Sequence, residues 1–153
     1  MKKCPFFGIC GGCKFDFAAA DYHDQKMALL RDLPITGDAV WTAAGLRRRA
    51  DFAFAGGNFG FYAPHSKDIV PVRSCPNLVP EINDILPAVA ALPWVASGAC
   101  LITSCDNGID VAISSSVPYF TAEFRDAAIK TPAIRITWND RTIKQTGTPQ
   151  VNF

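Results

Sequence analysis

Three cysteines fall within ten residues near the start of the chain, in Cys4-Pro5-Phe6-Phe7-Gly8-Ile9-Cys10-Gly11-Gly12-Cys13. A pair two residues apart, such as Cys10 and Cys13, can turn both sulfurs onto one metal centre. The gap holds Gly11 and Gly12, and glycine lets a backbone wrap close to an inorganic core and aim amide N–H groups at its sulfurs. A fourth thiol must come from elsewhere, and Cys75 in Arg73-Ser74-Cys75-Pro76 is the candidate. The resulting C-x5-C-x2-C with a distant cysteine is close to the C-x4-C-x2-C…C spacing of plant-type iron–sulfur proteins. Four thiolates equally satisfy a closed zinc site. Spacing alone leaves a cluster, a zinc ion, and disulfides or free thiols all open. Cys100 lies in an apolar segment and reads as a small buried hydrophobe. Cys105 lies at a turn, and neither has ligand spacing.

The second group is Arg47-Arg48-Arg49. On an extended strand Arg47 and Arg49 share a face and Arg48 opposes them. Guanidinium forks match phosphate oxygens. The plainer reading is a charged edge strand protected from aggregation. Phe61, His65, Ser66 and Lys67 follow nearby, and aromatic and basic groups together on a hairpin and its exit loop can stack unpaired bases while holding phosphates. His65 has no nucleophile beside it in sequence, so it is not assigned as a general base. There is no G-x-G-x-x-G after a strand, no P-loop and no H-E-x-x-H, so no motif binds a nucleotide cofactor.

The elements that position these groups follow from the pattern. The chain has 153 residues, of which 49% are hydrophobic, enough for one domain to bury a core without covalent staples. Clustered cysteines in such a chain suit a reducing compartment, and the expected location is cytoplasmic. The net charge of +1 excludes a polycation, so nucleic-acid contact must come from a local patch. Met1-Lys2-Lys3 is followed by too short an apolar run to be a signal peptide. The uncharged stretch between Asp84 and Asp106 is long enough to cross a bilayer. Pro87, Pro93 and Ser97-Gly98 divide it, so it reads as helix, loop and strand, and no membrane association is expected.

A first helix is expected to start at Asp21 as cap and to end near Pro34, with Tyr22, Leu29, Leu30 and Leu33 on one face. The segment 35–45 is a connector. Strands at 47–55 and 59–62 flank the turn Gly56-Gly57-Asn58. A short extended piece, 69–72, leads to Cys75. A second helix is expected over 78–92, with Pro80 in its first turn and a kink at Pro87. Strands at 99–103 and 109–113 flank Asp106-Asn107-Gly108. A short helix over 119–130 and a closing hairpin around Asn139-Asp140 complete the order. The fold class is α+β: a largely antiparallel sheet with two to three covering helices and an N-terminal cysteine-rich metal-binding loop.

Several of these stretches together resemble the front half of the RNA 5-methyluridine (uracil-C5) methyltransferases. They are Cys4-x5-Cys10-Gly11-Gly12-Cys13, Leu46-Arg47-Arg48-Arg49-Ala50, Gly60-Phe61-Tyr62 with Ser66-x2-Ile69-Val70, and Cys75-Pro76-Asn77-Leu78-x-Pro80. Gly108-Ile109-Asp110-Val111 and the Arg135–Trp138 segment fit in the same order.

The resemblance implies a [4Fe–4S] cluster on Cys4, Cys10, Cys13 and Cys75, held by the family's central RNA-binding domain. Enzymes of this family transfer a methyl group from S-adenosylmethionine to C5 of a uridine in ribosomal or transfer RNA. A catalytic cysteine adds to C6, a carboxylate removes the C5 proton, and the base is flipped from its stack. The family's methyltransferase domain lies C-terminal to the matching region. The chain is therefore expected to be a fragment or a free-standing module, with no catalytic residue assigned; neither Cys100 nor Cys105 lies in the family's catalytic motif. The expected organisation is a cluster-binding loop over 1–18, packed on an α+β RNA-binding domain over 19–144, with 145–153 a tail toward an absent methyltransferase domain. RNA is the expected partner, DNA is not, and the expected state is a monomer. The competing classes are a zinc-stabilised RNA-binding module and a small redox iron–sulfur protein.

Overall fold

The computed structural model describes residues 3–152. Met1 and Lys2, read above as no part of a signal peptide, and Phe153, the end of the expected tail, lie outside the described residues. The elements in order are α1 (Tyr22–Ala28), β1 (Arg49–Ala55), β2 (Asn58–Tyr62), β3 (Ile69–Val70), α2 (Pro80–Ala90), β4 (Ser97–Cys105), β5 (Gly108–Ser115), α3 (Ala122–Ala128), β6 (Arg135–Trp138) and β7 (Arg141–Gln145). The strands form one seven-stranded sheet in the order β3-β2-β1-β4-β5-β6-β7. Every neighbouring pair is antiparallel except β5 and β6, which are parallel because α3 carries the chain back between them. The fold is α+β with a mostly antiparallel open sheet and three helices, as the sequence pattern indicates.

The alternation in β1 decides the layering. Ala50, Phe52 and Phe54 point into the core, while Arg49 and Asp51 are exposed on the opposite face. Cys100 and Ile102 of β4, Val111 and Ile113 of β5, and Ile136 and Trp138 of β6 continue the buried face. Helix α2 lays Ile82, Ile85, Leu86 and Val89 on it, and α3 adds Phe124. Trp94 fills the centre, with ring centroids 4.5 Å from Phe54, 5.0 Å from Phe59 and 5.2 Å from Phe124. Its indole N–H donates to the Val89 carbonyl at 3.0 Å, and that of Trp138 to the Val117 carbonyl at 3.1 Å, so neither buried donor is left unpaired.

The turns follow their residues. Gly56 and Gly57 have φ of 56° and 79°, and Asn139 and Asp140 have 46° and 64°, the positive values that two-residue hairpin loops require. Gly98 is required for a different reason. A Cβ there would collide with the Ser114 carbonyl and the Phe54 ring, so β4 and β5 pair closely only because that position is bare.

Two expectations need correction. The first helix is shorter than its apolar spacing suggests and has no buried residue. After Ala28 the backbone tightens into three-residue turns, with Leu30 N–H bonded to the Met27 carbonyl and Leu33 N–H to that of Leu30. Leu29, Leu30 and Leu33 are exposed, because neither the sheet nor the other helices reach them. Asp21 caps this helix without a side-chain hydrogen bond. The segment after β7 is hydrogen-bonded to the β4–β5 turn. Asn107 Nδ2 donates to the Thr148 carbonyl at 2.8 Å, Gln150 N–H donates to Asn107 Oδ1 at 3.0 Å, and Asn152 N–H donates to Asp106 Oδ2 at 2.7 Å. The uncharged stretch before Asp106 is divided among α2, the Trp94 loop and β4. No helix among the described residues is long and apolar enough to cross a membrane.

Candidate metal centre and nucleic-acid interface

The cysteine loop is a string of tight turns. Phe7 N–H bonds to the Cys4 carbonyl at 3.3 Å and Cys10 N–H to that of Phe6 at 2.8 Å, with Gly8 at φ 83°. Gly11 then donates to the Tyr62 carbonyl at 2.8 Å, which anchors the loop to the end of β2. A side chain on Gly11 would press into that same strand end, 2.9 Å from the Tyr62 carbonyl oxygen, so the close approach needs glycine. Cys75 arrives from the other side, in the turn between β3 and α2. Asn83 of α2 holds it there: Oδ1 accepts from Cys75 N–H at 2.8 Å, and Nδ2 donates to the Cys75 and Leu78 carbonyls at 3.1 Å each.

Cys4, Cys10, Cys13 and Cys75 consequently line one small cavity of about 30 Å³, walled by Phe6, Phe61, Val72 and Leu78. Some sixty residues separate Cys75 from the other three in the chain. All six cysteines are free thiols. Gly12 N–H points at Cys10 Sγ at 3.3 Å, and Asn77 Nδ2 at Cys13 Sγ at 3.2 Å. Among the described residues, no three His, Cys, Asp or Glu side chains stand close enough to grip a metal ion. A tetrahedral zinc would need its sulfurs within about 3.8 Å of one another. The donor set nevertheless suits a thiolate-held group: four sulfurs on one space, amide donors on two of them, and apolar walls.

Burial pushes the Cys10 thiol up, and the neighbouring Cys13 and Cys4 add to this while the Gly12 amide opposes it. Burial likewise raises Cys75, against the Asn77 and Leu78 amides. A metal held by these thiols would release their protons on binding. Cys100 is raised furthest by complete burial, as fits a core residue. Cys105, read from sequence as a turn residue, is the buried last residue of β4.

The arginine run is split by its backbone. β1 begins only at Arg49. Arg47 pairs with the Cys75 segment instead: its N–H donates to the Asn77 carbonyl at 3.0 Å, and its carbonyl accepts from Val79 N–H at 3.1 Å. Arg48 turns to the β4 end, donating to the Ser104 carbonyl at 3.1 Å and to Asp106 at 2.7 Å. All three are exposed along a groove of about 680 Å³ that also includes Asp51 and Phe61. Phe61 is half-buried, its ring stacked 4.4 Å from Phe52. His65, Ser66 and Lys67 form the turn between β2 and β3 and do not line this groove. His65 sits at φ 55°, and Ser66 Oγ donates to Asp68 at 2.8 Å.

Sequence reasoning missed two groups. Asn77 and Asn83 lie near Cys75 in the chain, and their amides serve as a sulfur donor and a turn staple. The other is an aromatic and basic cavity beside the loop, lined by Lys14, Phe15, Tyr22, His23, Lys26 and Trp41 among others. Phe17 lines this cavity too.

No family model matches the chain. The chain is 37% identical over 95 residues to the 23S rRNA (uracil(1939)-C(5))-methyltransferase RlmD of Cronobacter sakazakii, an alignment covering 56% of this chain and 22% of that protein. The chain thus matches about a fifth of the length of that relative. The likeness supports a relationship to the RNA uracil-C5 methyltransferases, the family whose cysteine and arginine motifs it resembles.

Proposed function

We propose that this chain is an iron–sulfur, RNA-contacting part of an S-adenosylmethionine-dependent RNA uracil-C5 methyltransferase. The observation that carries the reading is the meeting of Cys4, Cys10 and Cys13 with the distant Cys75 around one apolar cavity. The similarity to a ribosomal RNA methyltransferase supports RNA as the partner and uracil as the base. In this reading the four thiolates hold a [4Fe–4S] cluster, which supplies a structural tie between the loop and the entry to α2. Closing so long a loop constrains the unfolded chain. Gly12 and Asn77 orient and stabilise the sulfurs, and the phenylalanine walls exclude water. Arg47 and Arg49 hold phosphates, with the His65-Ser66-Lys67 turn as a further contact. No residue of this chain is assigned to methyl transfer, which belongs to parts of the enzyme that these residues do not represent. The protein acts in the cytoplasm, as a monomer on RNA and not DNA.

Iron, sulfide and zinc content of the chain purified without oxygen, with its visible spectrum, tests the reading. About four irons and four sulfides per chain with a brown colour is the expected result. One zinc without sulfide would turn the site into a structural zinc centre. A folded protein with no metal would overturn the reading.

A further inference from the structure

We propose that the cavity between the cysteine loop, α1 and the 41–47 segment takes one unpaired nucleotide of the bound RNA, its base stacked on Trp41 and its phosphate held by Lys26, Lys14 or Arg47. This rests on the RNA reading above.

The cavity measures about 830 Å³, within the range that admits a ligand of nucleotide size. Its lining is cationic and aromatic, with Lys14, Lys26 and Arg47 present and no Asp or Glu among the lining residues. Trp41 stacks on His23 with centroids 4.0 Å apart and planes 20° apart, and both side chains are exposed. Tyr22 tilts against His23 at 5.6 Å, and the Lys26 ammonium lies 4.7 Å from the Tyr22 centroid. Tyr22 and His23 sit on a helix that buries nothing, and Trp41 is exposed on the connector after it, so these rings are not there to complete a core.

A flat indole with an accessible surface selects a flat partner. Three cations select an anion, and they disfavour the cationic ligands that aromatic cages otherwise take. A nucleotide supplies both features, and only an unpaired one leaves its base free to stack. Arg47 also lines the thiol cavity and the arginine groove, so a strand lying along Arg49 reaches this cavity by passing Arg47.

Trp41 offers its own readout. The other two tryptophans, Trp94 and Trp138, are buried at 5% and 0% exposure, so a stacking base can reach only Trp41. The experiment titrates the chain, purified without oxygen, with a ten-nucleotide single-stranded RNA of mixed sequence. The comparison strand has the same length and charge but abasic positions. RNA is expected to quench tryptophan emission, and the abasic strand is not. Trp41→Ala should abolish the quenching and weaken binding roughly tenfold, the size of one lost stack, while Trp41→Phe keeps most of the affinity. Because Trp41 is exposed, both variants should keep the wild-type melting curve. RNA binding that is weakened by Arg49→Ala but unchanged in Trp41→Ala would overturn the stacking site and leave the RNA reading standing. Equal binding of the abasic strand would do the same. No RNA binding by the wild-type chain would overturn both.

Discussion

The guanidinium of Arg48 lies 2.7 Å from the carboxylate of Asp106, so the middle residue of the arginine run already has an acidic partner. Arg47 and Arg49 have no acidic partner among the described ion pairs. Arg47→Ala and Arg49→Ala are each expected to weaken RNA binding and to lower the slope of log affinity against log salt by about 1. Arg48→Ala is expected to leave both nearly unchanged. Titrations at several salt concentrations check this, and a loss in Arg48→Ala equal to the other two would show that the Asp106 contact opens when RNA binds.

The same pair fastens the chain's last described residues. Arg48 foremost, and then the Asn152 amide, hold the Asp106 carboxyl below its ordinary value. A depressed folded value means that the stabilisation is fully present above the ordinary carboxylate range near 4 and fades as pH falls through the lower, folded value. The Asn152 amide resonance should therefore stay in place through neutral and mildly acidic pH and shift only in strong acid. Asp106→Ala should show the shifted position at pH 7. An Asn152 resonance that moves between pH 6 and 5 would contradict the assignment.

Asn83 makes the turn that presents Cys75. Asn83→Ala strands the Cys75 N–H and carbonyl in a half-buried turn. The expected cost is roughly 2–4 kcal/mol, several hydrogen bonds lost with partners unpaired, read as a lower denaturant midpoint. Metal content should fall with it. Full metal content in a destabilised Asn83→Ala would mean that the turn forms without the staple.

In the iron–sulfur reading, Cys10→Ala and Cys75→Ala should each bind no metal and melt well below the wild-type chain. Cys105→Ala should keep its metal, because Cys105 does not line the thiol cavity. A Cys75 variant that melts like the wild type without metal would remove the structural role from the site.

The legible part of this protein is the part written in short range. The alternation of Ala50, Phe52 and Phe54, the glycine and Asn-Asp turns, and Pro80 opening α2 each depend on neighbours within a few residues, and each appears where the pattern indicates. The Leu29, Leu30 and Leu33 spacing misleads because periodicity describes a face without saying what lies opposite, and here nothing does. The Trp41 cavity has no linear signature, since its walls come from residues 12 to 77.

By itself the sequence determined the class of fold, the strand faces, the turns and the identity of the candidate ligands, because each depends on local stereochemistry or on the chemistry of a side chain. Only the tertiary structure decided that Cys75 lines the same cavity as the first three thiols, that Arg48 meets Asp106 while Arg47 and Arg49 do not, and that His23 and Trp41 meet. Those are contacts between distant segments. They are set by how β1, β4 and the cysteine loop pack, and no spacing along the chain encodes them.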